Sequence, residues 1–289
     1  MNHLLQNAWQ PYLLTPVELT LQSLEENWER LHIGNSEVFP SVPALEELVS
    51  GNPKIAASLD GVPLDELSGM LIQGWLHFHQ GNYQQATQLA LASGLPGLNL
   101  ASKAMAIYAT HLEDNETAKL DLFREGIRLA EHAISITPKH PDAHYNRAYA
   151  MGRYSQGISI TKALAEGYGK EVRKSLEKTL ELAPEHAEAH IAFGTYHAEI
   201  INQVGKLVAS ISYGANKDSG LKHFRTALRI APDFPIGYTQ YADGTLMMFG
   251  PSKLKEAKQL YNKAATSAIA DAMEQLDQKN AIDELETIK

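Results

Sequence analysis

Three segments of the sequence align with one another without a gap, and their regular spacing limits the folds available to the chain. The segments are 129-LAEHAISITPKHPDAHYNRAYA-150, 175-SLEKTLELAPEHAEAHIAFGTY-196 and 223-HFRTALRIAPDFPIGYTQYADG-244. All three share a proline column, 46 and 48 residues apart, at Pro138, Pro184 and Pro232. Because proline lacks a backbone N–H and clashes with the preceding turn, a helix cannot continue through it. The chain is therefore predicted to consist of repeated helix–turn–helix units.

Other columns of the alignment keep their physical character from one segment to the next. A residue suited to close packing lies five positions before each proline, at Ala133, Thr179 and Ala227. An aliphatic residue lies two positions before it, at Ile136, Leu182 and Ile230. After each proline a second helix is expected to begin, at Asp142, Glu188 and Ile236. Upstream, the position of Pro96 and the 47-residue interval from Gly34 to Gly81 indicate that the same repeat spacing continues.

Within these units the residues resemble the tetratricopeptide repeat (TPR), whose pattern is W-x2-L-G-x2-Y, then A-x3-F, then P. The best copy reads His190-x2-Phe193-Gly194-x2-His197, followed by Phe224 and Pro232. The resemblance implies an all-α fold, a TPR-like α-solenoid of antiparallel helix pairs with extended repeats of about 46-48 residues. We expect an N-terminal helical segment with a degenerate repeat over 1–65, the repeat array over 66–265 and a C-terminal capping helix over 266–289.

The repeats are longer than the usual TPR of about 34 residues. The extra residues are SITKALAEGYGK at 159–170 and INQVGKLVASISYGANK at 201–217. They are predicted to extend the first helix of each unit and add a longer loop, with helix stops at Gly167, Gly169 and Gly214. Near the N-terminus, 15-TPVE-18 matches a capping box and predicts a helix that runs through about Leu31.

Long, proline-terminated repeats of this kind resemble two relatives of the TPR family, the T component of TRAP-type transporters and the regulator of microtubule dynamics proteins. The resemblance covers about residues 100–265. It implies a helical solenoid whose first helices line a groove or pore, without established chemistry. For the transporter relative it also implies a trimer and a lipoprotein anchor, and the chain has no cysteine to carry that anchor.

The composition argues against several classes of function. Lys and Arg total 25 against 34 Asp and Glu, a formal net charge of −9, and no stretch gathers basic side chains, so no nucleic-acid partner is expected. Without cysteine, disulfides, thiolate metal sites and cysteine nucleophiles are excluded. No apolar run approaches a membrane span and no signal peptide is evident. We expect a cytoplasmic protein, or a periplasmic one if a native signal sequence has been removed.

Histidines recur at equivalent positions and allow two interpretations. Segments 28–35 and 75–82 are similar in sequence, and His32 and His79 occupy equivalent positions in them. The structural interpretation is a ring packed between helices with one nitrogen hydrogen-bonded. The alternative is a metal site, because two pairs have the one-turn spacing of helical ligands, His140 with His144 and His186 with His190. Each pair straddles a predicted turn, so we predict no metal and no cofactor.

Two shorter motifs also favour structural roles. The run 167-GYGK-170 has the end of a phosphate-binding loop, but Leu164 stands where its first glycine is required and Glu171 where Ser or Thr is required. Ser155 lacks the Gly-x-Ser-x-Gly context of a hydrolase nucleophile. Neither motif predicts catalysis.

In TPR solenoids the first helices line a concave face, and the positions beside the packing columns project into it. Here these positions are Asp142, Tyr145, Asn146, Tyr149 and Arg153 in one unit, Glu188, Thr195 and Glu199 in the next, Thr239, Gln240 and Asp243 in the third, and Trp75 and Phe78 upstream. The groove is predicted to be apolar and aromatic near the amino end and acidic beyond it, so an acidic peptide is not an expected ligand.

The sequence thus predicts a non-catalytic binding or scaffolding protein. Its ligand on this face would be a protein or peptide partner, or a small molecule. Two alternatives stay open. The first is a small-molecule carrier associated with a transport system, with a closed pocket and a trimeric state. The second is a His-dependent hydrolase, which needs two or more histidines that converge with a carboxylate such as Glu199. Oligomerisation is compatible with all three.

Overall fold

The structure, a computed structural model, describes residues 2–35 and 37–288. Within these residues it contains seventeen α-helices, two single turns of 3-10 helix and no strand. The first ten helices are α1 Asn2–Gln6, α2 Leu21–Glu26, α3 Trp28–Leu31, α4 Val42–Ser50, α5 Pro53–Ser58, α6 Leu64–His79, α7 Tyr83–Ala92, α8 Leu98–His111, α9 Glu116–Ile136 and α10 Pro141–Gly157. The others are α11 Ile160–Ala165, α12 Tyr168–Leu182, α13 Ala187–Tyr213, α14 Lys217–Ile230, α15 Pro235–Phe249, α16 Leu254–Ala265 and α17 Ala272–Thr287. The 3-10 turns are Leu95–Gly97 and Pro251–Lys253.

The chain divides into two compact units. Unit 1 comprises Met1–Glu29 and Glu37–Gly157, and unit 2 comprises Arg30–Ser36 and Ile158–Lys289. The division at 157–158 coincides with the start of the extra residues that lengthen the repeat. The predicted three-part division at 65 and 265 stays a prediction.

In unit 1, consecutive helices from α6 to α10 pack against one another. Their interface buries large apolar side chains, among them Phe78, Leu100 and Phe123. The preceding segment packs on these repeats, since the Asn52 side-chain amide donates to the Ile136 carbonyl at 2.7 Å. Residues 37–58 thus form one wall of unit 1.

In unit 2, α13 packs against α14 and α15, α15 against α16, and α17 against both α15 and α16. The short segment 30–36 belongs to this unit, because the Arg30 guanidinium pairs with the Glu274 carboxylate at 2.7 Å and the Gly34 carbonyl accepts from the Glu188 N–H at 2.9 Å. The all-α, TPR-like repeat fold is confirmed.

The proline column terminates helices as predicted. α9, α12 and α14 end two residues before Pro138, Pro184 and Pro232. The following helices begin at Pro141, Ala187 and Pro235, one residue earlier than expected. A proline that starts a helix loses no hydrogen bond there, because the first N–H groups have no intrahelical partner.

The extra residues behave differently in the two places. Residues 159–170 do not extend α10, since that helix ends at Gly157 and the short helix α11 follows. Gly167 has a φ of +87° and separates α11 from α12, whereas Gly169 lies inside α12 and is not a stop. The second insertion does extend α13, which is broken at Gly205 and ends at Gly214 in the left-handed region.

The predicted N-terminal helix begins later than expected. Residues 15–18 are not helical, and α2 begins at Leu21. Its capping box is formed by Thr20 and Ser23, whose side chains each accept the other's backbone N–H. Because the hydroxyl of Ser23 performs the role that glutamate usually has, the motif was missed in the sequence.

Candidate functional site

A cavity of about 370 Å³ lies in unit 1 and is lined mainly by apolar side chains. One wall is the segment 37–55 with α4 and α5, and the other comprises parts of α6, α8 and α9. The apolar lining residues are Val38, Pro40, Ala44, Leu45, Leu48, Ile55, Leu71, Trp75, Leu95, Pro96, Leu100, Ala133 and Ile136. The volume is typical of small-molecule sites, which range from about 300 to 1,000 Å³.

One part of the cavity lining is polar, with Glu37, Asn99 and His140. His140 Nε2 lies 3.9 Å from Glu37 Oε1, and His140 Nδ1 lies 3.9 Å from Oδ2 of the buried Asp142. The Asn99 side-chain amide is 3.3 Å from His140 Nδ1. These carboxylate and imidazole ligand atoms lie close enough together to hold a cation.

A buried acceptor in this polar region has no protein partner. Asn99 Oδ1 is buried without a hydrogen bond, although the backbone carbonyl of Asn99 accepts from the Asn146 amide at 3.2 Å. An unsatisfied buried acceptor of this kind costs free energy in the folded protein.

The predicted stripe on α10 exists as a set of adjacent side chains. The rings of Tyr145 and Tyr149 lie 6.1 Å apart, and the Arg153 guanidinium lies 5.3 Å from the centre of the Tyr149 ring. The Tyr149 hydroxyl is 3.0 Å from the Thr110 hydroxyl on α8. Tyr149 and Arg153 are partly exposed, while Tyr145 is buried. The accessible part of the stripe is therefore its second half.

The expectation that all the candidate side chains project into an open groove is wrong for several of them. The buried ones are Trp75, Phe78, Asp142, Tyr145, Asn146, Glu188 and Thr239. Trp75 contacts Trp28, Phe78 and His79 and also lines the cavity. Sequence spacing identified these positions as neighbours of the packing columns, but the surrounding helices cover them.

Three of the six candidates in unit 2 form a hydrogen-bonded chain. The Thr195 hydroxyl donates to the Gln240 side-chain oxygen at 3.0 Å, and the Gln240 amide donates to Asp243 at 3.2 Å. The Tyr261 hydroxyl also donates to Asp243. Glu199 is partly exposed on the same helix as Thr195. These residues stay predicted ligand contacts.

Unit 2 also contains a cluster of three histidines. His190 Nδ1 and His223 Nδ1 are 2.8 Å apart, and the rings of Phe193 and His197 stack at 5.0 Å. Burial, with the neighbouring histidines, lowers the pKa of His223 to about 3, and burial lowers the pKa of His197 to about 4. Nitrogen atoms at 2.8 Å share a proton in a hydrogen bond, which supports the structural interpretation.

Three of the four histidines considered as metal ligands contact backbone groups. His144 Nε2 lies 2.9 Å from the Pro138 carbonyl, and His190 Nε2 lies 2.9 Å from the Pro184 carbonyl. His186 caps α13, because its Nδ1 accepts from the Ala189 N–H at 3.1 Å. Of the four, His140 alone belongs to a possible cation-binding group among the described residues, and its neighbours there are carboxylates.

The cavity and its polar residues were missed in the sequence. Glu37, Asn99 and His140 come from three separate regions of the chain, and no motif links them. The available signal was the apolar spacing of Ala44, Leu45 and Leu48 after the helix-capping Ser41, which indicates that α4 has a buried face.

Comparisons with known proteins agree with this architecture. A thermophilic TPR protein of Thermus thermophilus is similar in structure, with a TM-score of 0.54 and 18% identity over 75% of this chain and 98% of that chain. At that identity the likeness shows the fold alone. No curated protein matches the chain in sequence. Residues 97–289 match the family model described as regulator of microtubule dynamics protein 1-3. Since the matched residues are more than half of the chain, the protein belongs to the regulator of microtubule dynamics protein 1-3 family.

Proposed function

We propose that the protein is a non-catalytic binding or scaffolding protein that recognises a protein or peptide partner. The fold supports this role, because repeated helix pairs present extended surfaces without requiring a catalytic centre. Among the described residues, every helix is too short or too polar to cross a membrane. The proposal includes a cytoplasmic location, as expected from the sequence.

The observation that carries the proposal is the arrangement of Tyr149 and Arg153 on α10. A partly exposed ring and a guanidinium 5.3 Å from its centre offer apolar area and hydrogen-bond donors together. Tyr and Arg are enriched in the residues that dominate binding energy at interfaces. We propose this stripe as the contact site, with Thr195, Glu199, Gln240 and Asp243 as further contacts in unit 2.

The test uses Tyr149→Ala with Arg153→Ala. Pull-downs with wild-type and variant baits, read by mass spectrometry, identify partners that the wild type retains and the variant loses. Calorimetric titration with such a partner is expected to show at least about tenfold weaker binding, or roughly 1.4 kcal/mol. Because Tyr149 contacts Thr110, circular dichroism must confirm folding, and Arg153→Ala alone provides a variant that leaves this contact intact.

A matched control exists in the same unit. Arg124 and Tyr154 form a similar pair, with the guanidinium 5.8 Å from the ring centre, outside the predicted stripe. The double change Arg124→Ala with Tyr154→Ala should leave partner binding unchanged. Equal loss in both variants, or full binding by the folded Tyr149 and Arg153 variant, contradicts the assignment of the site.

A small-molecule carrier is the second candidate function. The cavity of unit 1 favours it, because its volume and apolar lining suit a small ligand. The two functions are compatible, since the cavity and the exposed part of the α10 stripe are formed by different side chains.

A further inference from the structure

We propose that the cavity of unit 1 binds a small amphipathic molecule that carries a protonated nitrogen at one end. This inference rests on the second candidate function, since it names the class of ligand for that same cavity. It concerns a different site from the proposed partner binding. Two observations carry it: the apolar lining and the acidic polar region.

The apolar lining defines the body of the ligand. Thirteen apolar residues surround a space of about 370 Å³. Trp75 and Leu71 from α6 face the same space as Leu45 and Leu48 from α4. Burial of an alkyl or aromatic body here removes apolar surface from water, which favours binding by about 25 cal/mol per Å². The ligand therefore needs an apolar portion of small-molecule size.

The polar region defines the head of the ligand. Glu37 and Asp142 place carboxylate oxygens on two sides of His140, each 3.9 Å from a ring nitrogen. The side chains of Glu37 and Asp142 are only 14% and 5% exposed. A protonated nitrogen near them is attracted by both charges.

The charge of the lining selects against anions. Among the described residues that line the cavity are Glu37, Glu47 and His140, and none is Lys or Arg. A carboxylate or phosphate head would lie beside the carboxylates of Glu37 and Glu47 and would meet no Lys or Arg in the described lining. The cavity should therefore select a cationic head group over an anionic one of the same size, because the lining carboxylates attract the first and repel the second.

Octylamine and octanoate test this charge selection, because they share an alkyl chain and differ in head-group charge. Calorimetric titration of the full chain at about pH 8 keeps the amine protonated. We expect octylamine to bind at least about tenfold more tightly than octanoate, as charge-assisted hydrogen bonds allow. Tryptophan fluorescence provides a second signal, since the Trp75 ring lines the cavity.

Variants locate the binding to the cavity. Glu37→Gln removes one charge with little change of shape and should weaken octylamine binding about fivefold or more. Glu46→Gln is the matched control, since Glu46 is exposed on α4 and does not line the cavity, and it should leave binding unchanged. Ala44→Phe fills part of the space and should weaken octylamine binding in a chain whose circular dichroism is unchanged.

Several results would overturn the proposal. Octanoate binding as tightly as octylamine would show that charge does not select the ligand. Equal octylamine affinity in Glu37→Gln and Glu46→Gln would place the amine elsewhere. A titration with ZnCl2 that gives stoichiometric binding abolished by Glu37→Gln, together with no binding of octylamine, would assign the polar region to a metal ion. None of these outcomes depends on Tyr149 or Arg153, so the partner-binding proposal is tested separately.

Discussion

At the scale of single residues, one column of polar aromatic side chains explains two of the histidines in the repeats. His144, His190 and Tyr238 each lie six residues after a helix-ending proline. Each contacts the carbonyl of that proline through Nε2 or the hydroxyl, at 2.9, 2.9 and 2.8 Å. Because the proline carbonyl lies past the end of its helix, it has no intrahelical donor and needs this partner. The histidines of this column are therefore structural.

The buried histidines of unit 2 predict loss of stability in acid. In the folded chain the pKa of His223 is lowered to about 3 and that of His197 to about 4, against about 6.5 when unfolded. The unfolded chain therefore binds more protons below about pH 6.5, and the free energy of unfolding falls as the pH falls. Allowing for partial exposure of His223, we expect a loss of about 1 to 3 kcal/mol between pH 7.5 and 5, measured by urea unfolding.

The matched variant for this prediction is His223→Phe. It retains an aromatic ring against Phe193, which stacks on His223 at 4.5 Å, but it removes one titrating group. The free energy of unfolding of this variant should depend less steeply on pH over the same range. An unchanged slope would show that the loss in acid originates in other groups, such as His111 in unit 1, whose pKa is also lowered by burial.

The sequence predicted which side chains lie next to one another better than it predicted which of them are exposed to solvent. The spacing of Tyr145, Tyr149 and Arg153 correctly placed three side chains on one face of a helix. The Tyr149 hydroxyl, however, also meets Thr110 on α8. That contact joins positions 39 residues apart, and no local pattern encodes it. The cavity could not be predicted for the same reason, since its walls meet through tertiary packing alone.

At the scale of helices, two glycines of the TPR type, Gly194 and Gly244, allow α13 and α15 to approach the ring of Phe224 closely. Phe224 on α14 is completely buried and lies between α13 and α15. A Cβ atom added at Gly194 would lie 2.7 Å from this ring, and one added at Gly244 would lie 2.6 Å from it. Carbon atoms pack at about 3.5 to 4.0 Å, so neither position can accept a side chain without movement.

We expect Gly194→Ala to destabilise the protein by roughly 1 to 3 kcal/mol, because it overpacks this interface. Gly152→Ala is the control, since Gly152 lies in the middle of α10 and an added Cβ meets nothing within 4 Å. There alanine should stabilise by about 0.5 to 1 kcal/mol through its higher helix propensity. Chemical denaturation of the two variants should shift the midpoint in opposite directions. A shift in the same direction would refute the packing role of Gly194.

The helix boundaries were predictable where backbone chemistry is decisive. Prolines at 138, 184 and 232 end helices in the structure because the restriction is local. The helix α11 was missed because α10 ends at Gly157, and the next helix is capped by Ser159 in a left-handed conformation, with a φ of +81°. Serine rarely adopts that conformation, and the surrounding structure must impose it.

At the scale of the whole molecule, the family match and the compact units do not coincide. The matched residues begin at 97, directly before α8, whereas unit 1 begins upstream of that point. Trp75 and the other residues from 38 to 96 that line the cavity lie outside the match, while Asn99, Leu100 and His140 lie within it. Both parts of the chain are therefore needed to form the cavity.

The same reasoning predicts that residues 97–289 do not form a stable fold alone. In the full chain α8 is buried along most of its length, including Leu100, Met105 and Tyr108, and α7 packs against it. Without α6 and α7 these side chains meet water, at a cost of about 1.5 to 3 kcal/mol for each large apolar one. We expect a chain of residues 97–289 to aggregate in gel filtration and to unfold without cooperativity.

A chain of residues 60–289 is the comparison, because it restores α6 and α7 but lacks residues 1–59. The missing part includes the wall formed by residues 37–58 and the segment 30–36 of unit 2. It should be monodisperse in gel filtration or form a defined oligomer, and it should unfold cooperatively by circular dichroism. It should nevertheless lose octylamine binding, since Glu37, Leu45 and Ile55 are absent. Equal unfolding midpoints for the two shorter chains would show that the stability of α8 does not depend on α6 and α7. Cooperative folding of the longer chain with undiminished octylamine affinity would show that the wall of residues 37–58 is not part of the binding site.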